Sequence, residues 1–390
     1  YSAQDADSLD PYFLKEKKEG AFYLWKKDEI IGLLGKEKGE IFAYYFGIVP
    51  SGNAISDPQG EFEGKNVLYV AHSAKEAALH FKKPLTEIER IIKTSKGKLL
   101  KERFKRPRPH LDDKILTDWN GLTISSFAFA SRVLDDAAYR RVAEKAAQFI
   151  LKRLLDGKGR LFHRYREGEV AFMGTLCDYA FFIHGLIDLY EATFDVQYLK
   201  AAKRLAQQMI ELFWDEADGG FFLTADDAEE LFMREKEIYD GALPSGNSIA
   251  ALDLIRLGRL TTEKELEEKA EELFGALSNA VAAIPNAYPQ LLSALDYARG
   301  PSKEIVLSEG KNRDFIDECI QSIYGRFIPG KVVVFRPRLK KDTQEVTALI
   351  PFIKGMIPQN DKTTVYICEN YTCQVPITDR DKLIKLLDAR

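Results

Sequence analysis

The sequence predicts a mainly α protein of (α/α)6-type toroid architecture, incomplete at its N-terminus, with a small α/β insert near the C-terminus. Three observations predict it. A cluster of polar residues opening an apolar helix, followed by a more charged helix, recurs along the middle of the chain; short Gly-bounded, strand-like segments separate the copies; and beyond residue 300 the pattern changes to β-rich runs alternating with helix. With 390 residues, the chain can bury roughly three quarters of its unfolded surface, so a core needs neither disulfides nor a metal.

The first eighty residues read as irregular. An acidic opening carries Asp5, Asp7 and Asp10, the aromatic stretch Phe22-Tyr23-Leu24-Trp25 follows, and a helix begins near Asp28. Tyr44-Tyr45-Phe46 leads into a Gly- and Pro-rich connection over 47–64, then a short strand over 66–70. A charged helix over 84–103 starts on a proline, which the first helical turn tolerates.

The repeat begins at Thr117-Asp118-Trp119-Asn120-Gly121, ahead of an apolar helix over 122–133 and an amphipathic helix over 139–155. It returns at Gly174-Thr175-Leu176-Cys177-Asp178-Tyr179, ahead of helices over 180–190 and 196–213, and at Pro244-Ser245-Gly246-Asn247-Ser248, ahead of 249–257 and 263–277. A helix apolar all round must be enclosed by protein, whereas one with a polar stripe faces water. The first helix of each copy is therefore expected in an inner ring and the second in an outer ring, with 159–166 and 219–224 looping at one mouth. Residues 287–298 read as a shortened fourth inner helix. Strands are expected at 304–307, 331–335, 364–368 and 374–377, a helix at 314–324, and one parallel pair in the insert. The expected division is a helical toroid over 1–300, the α/β insert over 301–378, and a final helix over 379–390 returning to the toroid.

Composition narrows the function. Lys and Arg number 56 against 60 Asp and Glu, and the net charge of −4 gives no overall field to hold a polyanion, so nucleic acid is not an expected partner. The one basic run, 101–114, is broken by Pro107 and Pro109 and reads as a solvated connector. Four scattered cysteines and the lack of any apolar run of membrane-spanning length point to a reduced, cytoplasmic setting without membrane contact. Cys368 and Cys373 lack zinc-site spacing, and no phosphate loop, dinucleotide fingerprint or serine elbow is present, so no metal or cofactor is expected. Starting Tyr1-Ser2-Ala3, without Met, the chain is expected to be part of a longer polypeptide.

Chemistry is concentrated at the helix starts. The stretch 109–121 brings His110, Asp112, Lys114, Asp118, Trp119 and Asn120 together within a dozen residues. His110 is a candidate proton-transfer group or a structural hydrogen-bonder; Asp112 and Lys114 suit either an ion pair or a ligand contact; Asp118 suits a helix cap or a ligand; Trp119 offers a flat face to a sugar ring or fills core. Ring closure would carry Asp118/Asn120, Asp178/Tyr179 and Ser245/Asn247 to one mouth, with Tyr239-Asp240 just upstream. Carboxylates such as Asp112, Asp178 and Asp240 would support general acid/base work if their environments separate their pKa values. His163 and His72 show no ligand-like neighbours, and His184 reads as a buried hydrogen-bonding residue.

Tyr1-Ser2-Ala3-Gln4-Asp5-Ala6-Asp7-Ser8, the stretch 109–121 and 239–248, in this order, resemble the spermatogenesis-associated, thioredoxin-domain-containing family. That resemblance implies a thioredoxin-like domain followed by a six-hairpin toroid similar to N-acylglucosamine 2-epimerase, with this chain as the later portion and Asp5 and Asp7 near the mouth. Sugar epimerases of that fold use paired histidines, of which His110 is the mouth candidate here. The resulting expectation is a carbohydrate-active or carbohydrate-binding toroid, an epimerase, isomerase or hydrolase acting on a polyhydroxyl ligand. Two other readings fit the same residues: a protein-interaction platform working with the thioredoxin-like domain, or a structural scaffold.

Overall fold

The computed structural model describes residues 1–12, 15–54, 60–229, 232–312, 314–369 and 372–388. They form two compact units, Tyr1–Asp113 and Lys114–Arg390.

In the first unit, strands β1 (Ala3–Gln4), β2 (Asp7–Leu9) and β3 (Lys17–Glu19) precede helices α1 (Lys27–Leu34), α2 (Lys36–Tyr45), α3 (Ala74–Phe81) and α4 (Leu85–Arg103), and β4 (Leu111–Asp112) pairs antiparallel with β1. Its own core gathers Trp25, Ile30, Ile41, Phe42 and Ile88. The opening is thus more regular than expected. Ser73 and Glu76 box the start of α3 reciprocally, a signature of helix starts. The strand expected over 66–70 reduces to a bridge between Asn66 and Trp25, because the Asn66 side chain bonds loop backbone at Val49 instead. The basic run is not wholly solvated either. Arg106 is buried, donates to the carbonyls of Phe22 and Leu24, pairs with Glu29 and lies 3.9 Å over the Trp25 ring.

The second unit opens with β5 (Ile115–Leu116), then the hairpin α5 (Thr117–Val133) and α6 (Ala137–Arg153). Strands β6 (Phe162–Arg166) and β7 (Glu169–Met173) follow, then α7 (Leu176–Thr193) with α8 (Val196–Phe213), α9 (Gly246–Thr261) with α10 (Lys264–Ala283), and α11 (Pro289–Arg299). This is the helical-hairpin array of an α/α toroid. The first helices pack side by side, α5 on α7, α7 on α9 and α9 on α11. Helices α7 and α9 are buried on nearly every side, as their all-round apolarity requires. In α8, the buried residues Leu199, Ala202, Leu205, Ala206 and Met209 recur at three- and four-residue steps, the stripe of a helix with one face in water. Each such buried leucine contributes ~1.5–3 kcal/mol.

Helix α5 departs from the expected enclosure. Trp119, Phe129 and Val133 on it are exposed, because of the other first helices only α7 packs closely along it. That seam is tight: a Cβ on Gly121 would lie 2.4 Å from the Phe181 carbonyl carbon, and one on Gly185 2.6 Å from the Gly121 oxygen. Glycine at both positions lets the two backbones touch.

The α/β part comprises β8 (Lys303–Ser308), α12 (Asp314–Tyr324), β9 (Lys331–Arg336), α13 (Lys340–Leu349), β10 (Thr364–Glu369), β11 (Thr372–Cys373) and α14 (Arg380–Asp388). Its sheet runs β11-β10-β8-β9, with β8 and β9 parallel. The final helix, expected to return to the toroid, packs on α12 and the sheet. Leu383 and Leu387 enter one core with Ile305, Val333 and Val365 of the sheet and Cys319 of α12; residues 389–390 lie outside the described set. Cys368 and Cys373, expected as thiols, form a disulfide because the β10–β11 register sets them opposite each other. Among the described residues no helix is long and apolar enough to cross a membrane.

Candidate active site

Three elements converge where α5 and α7 begin. Strand β6 pairs with β5 in a register that sets Leu116 against Arg164, and Thr117 donates its hydroxyl to the Phe162 carbonyl at 2.6 Å. That pairing delivers His163 to the first turns of both helices. Asp178, fully buried, sits in the first turn of α7. Its oxygens accept from the Thr175 backbone N–H at 2.8 Å, the Thr175 hydroxyl at 3.1 Å and the Asp118 backbone N–H at 3.1 Å. His163 Nδ1 lies 3.0 and 3.1 Å from the two oxygens. An ionised carboxylate only accepts, so Nδ1–H is the donor and Nε2 is left as the reactive nitrogen.

Asp118 completes the group: ligand atoms of Asp118, His163 and Asp178 all lie within 4.8 Å of one another. Its Oδ1 accepts from the Trp119 backbone N–H at 2.7 Å. Burial, together with the neighbouring Asp178 charge, pushes the Asp118 carboxyl up to about 6. The hydrogen bond to Asp178 raises the His163 imidazole above its ordinary value, against the opposing effect of burial. The arrangement therefore sets a carboxyl with a raised pKa beside an imidazole whose protonated form its carboxylate neighbours favour. His163 keeps 31% of its side chain exposed and Asp178 none, so His163 is the reachable member and Asp178 its buried partner. A divalent cation at this place would draw on the same three residues, and His163 would have to give up its bond to Asp178 to bind through Nδ1. The adjoining Cys177 thiol is pushed up to about 12 by burial and stays protonated, so it is no nucleophile.

The other expected site residues divide sharply. Asn120 donates to the Leu116 carbonyl, and Trp119 in the first turn of α5 is 41% exposed. Tyr179 is core: its hydroxyl accepts from the Leu161 N–H. Ser245 caps α9. Asn247 clamps the backbone of Phe221 from both sides and bonds the Glu237 carbonyl. Asp240, expected as a catalytic carboxylate, has one oxygen on the Ser245 N–H and the other on the N–H groups of Gln290 and Leu291, which makes it a buried backbone clamp. Tyr239 is exposed, and Lys114 opens the second unit.

His110, Asp112, Asp5 and Asp7 belong to the first unit. There the Asp5 N–H donates to the His110 carbonyl, the Asp5 side chain accepts from the Asp7 N–H, and Asp112 pairs with Ala3 across the sheet. His110 is exposed. His163 is the member of this group that sequence reading passed over. The signal lay in its hairpin position just ahead of Asp178, but the partnership depends on strand register.

Fold and geometry together define an α/α-hairpin protein with a close Asp–His–Asp group at the starts of α5 and α7. The chain is 34% identical to human spermatogenesis-associated protein 20 over 411 aligned residues, covering 99% of this chain and 52% of that one. It is 33% identical to the mouse protein, covering 99% and 51%. The chain belongs to the spermatogenesis-associated protein 20 family, and it spans about half the length of the curated relatives it matches. No protein-family profile matches. Among solved structures, cellobiose 2-epimerase from Spirochaeta thermophila aligns at 19% identity and a TM-score of 0.39, covering 45% of this chain and 46% of that one.

Proposed function

We propose that the chain carries a carbohydrate-active site whose reaction is proton transfer next to a carbonyl, the chemistry of an epimerase or isomerase. The reading rests on one observation, the close group of Asp118 and His163 on the buried Asp178. Asp118 as carboxylate removes a proton from the carbon beside a carbonyl while the His163 imidazolium donates to the carbonyl oxygen, giving an enediol; return of a proton to carbon completes the exchange. Trp119 supplies the flat wall for a sugar ring. Hydrolysis by paired carboxylates is less well supported, because the Asp178 oxygens are already taken by four donors. A thioredoxin-like domain in the full-length protein is the proposed partner.

The test is solvent-deuterium exchange. The protein is incubated in D2O with a panel of aldoses, ketoses and reducing disaccharides, and label at the carbon beside the carbonyl is read by NMR. Uptake with at least one sugar, lost in both Asp118→Asn and His163→Gln, is the expected result. No uptake across the panel, or uptake unchanged in both variants, overturns the proposal.

A further inference from the structure

Helices α5 and α7 also line a second polar cavity further along their length. From Asp178 to Asp188 is about 15 Å along α7 at ~1.5 Å per residue, and there a cavity of about 650 Å³ is lined by α5, α7, α9 and the segment leading from α12 into β9. That volume suits a small organic ligand.

Its acids are already satisfied. Asp188 Oδ1 accepts from Arg132 at 3.0 Å and Arg256 at 2.9 Å. Its Oδ2 accepts from the Ser125 hydroxyl at 2.5 Å and faces His184 Nε2 at 3.6 Å. Glu191 Oε1 accepts from the Val333 N–H, and Oε2 from Arg132 and Arg256. His184 Nδ1 is held by Asp253 at 2.7 Å.

The cations outnumber them: Arg132, Arg256, Arg326 and Lys331 line the cavity against two acids, Asp188 and Glu191. Arg326 pairs with Asp388, which lies outside the lining. The Arg132 side chain is only 5% exposed, yet its Nε has no acceptor among the described residues. Lys331 donates to the Ile328 carbonyl at 3.0 Å, and no salt bridge to it is found among the described residues. Burial lowers its pKa, with Arg132 and Arg256 adding to the effect and Glu191 opposing it. Lys331 Nζ also lies 5.4 Å from the centre of the Tyr324 ring; a partly desolvated ammonium that meets a carbonyl and a ring face, with no carboxylate partner among the described residues, costs free energy until an anion meets it.

We propose that this cavity binds a small organic oxyanion, a phosphate monoester or a carboxylate, with its charged oxygens on Lys331 and its body against Phe129 and the serine hydroxyls of α5. This is a site separate from the Asp118 group, and it stands or falls without the proton-transfer reading.

Isothermal titration of the full chain with glucose 6-phosphate, glucuronate, inorganic phosphate and neutral glucose tests it. One saturable site per chain for an organic oxyanion is expected, with no binding of glucose. Lys331→Met should weaken affinity at least tenfold, and Asp118→Asn should bind as wild type. Phe327 is 94% exposed, so Phe327→Glu leaves the fold alone while placing a negative charge on the lining; it too should weaken binding, and it decides the matter if Lys331→Met does not fold. Tighter binding of the phosphate or of the carboxylate assigns the anion class, and either order supports the site. Absence of saturable binding by both organic anions, equal binding of glucose, or undiminished affinity in Phe327→Glu overturns it.

Discussion

Replacing Asp118 by Asn should stabilise the protein at neutral pH while removing the proposed base. The carboxyl is pushed from 3.8 to about 6 by burial and by the Asp178 charge, so the folded state holds a proton that the unfolded chain has released. Stability therefore falls as pH rises from about 3.8 to about 6, and the full penalty persists above that window. At ~1.4 kcal/mol per pH unit the penalty is about 3 kcal/mol. Solvent screening of a partly buried group trims it to about 1–3 kcal/mol. Asparagine keeps an oxygen for the Trp119 N–H and carries no charge, so the variant escapes the penalty. Urea unfolding of wild type and Asp118→Asn, followed by tryptophan fluorescence, should give the variant that advantage at pH 8 and about half of it at pH 5. A variant less stable than wild type at pH 8, or an advantage that does not change with pH, refutes the assigned environment.

Gly121→Ala should cost about 3 kcal/mol or more, because its Cβ meets Phe181 backbone that cannot swing aside; thermal unfolding measures it, and by spreading α5 from α7 the change should also lower any deuterium uptake. Asp240→Ala strands three backbone N–H groups and should cost about 2–4 kcal/mol, with the exchange activity of the surviving folded protein unchanged. Asp178→Asn should return the His163 pKa toward that of a free imidazole, since the hydrogen bond to Asp178 is what raises it; an NMR titration of the ring in wild type and variant reads the change, and an identical midpoint would dismiss the anchoring role.

The hairpin array was legible because its signal is periodic. α7 is apolar all round and α8 carries a single stripe, and burial against neighbours is the physical consequence of each. Asp118 and Asp178 were legible as a pair because equivalent positions of packed repeats fall side by side. His163 was not, since its place comes from the β5–β6 register joining Leu116 to Arg164, and short strands advertise no register. Asp240, Tyr179 and Asn247 failed as ligand residues for the converse reason. Connections such as 219–224 and the first turn of α11 leave backbone donors and acceptors that need partners, and these polar side chains supply them. Sequence shows which residues are polar but not which of them the backbone has already used. The Cys368–Cys373 disulfide belongs to the same class of feature, set by pairing across a turn.

The two carboxylates at the helix starts differ in what surrounds them, and that difference assigns their roles. Asp178 is buried with donors from Thr175, the Asp118 backbone and His163, so its charge is compensated where it stands. Asp118 lies beside that charge with a single backbone N–H on its Oδ1 and a carboxyl pushed up to about 6. A polar group whose environment penalises its charge, at a position where asparagine would fit, is costly as architecture. It is useful as a base whose protonation changes close to neutrality.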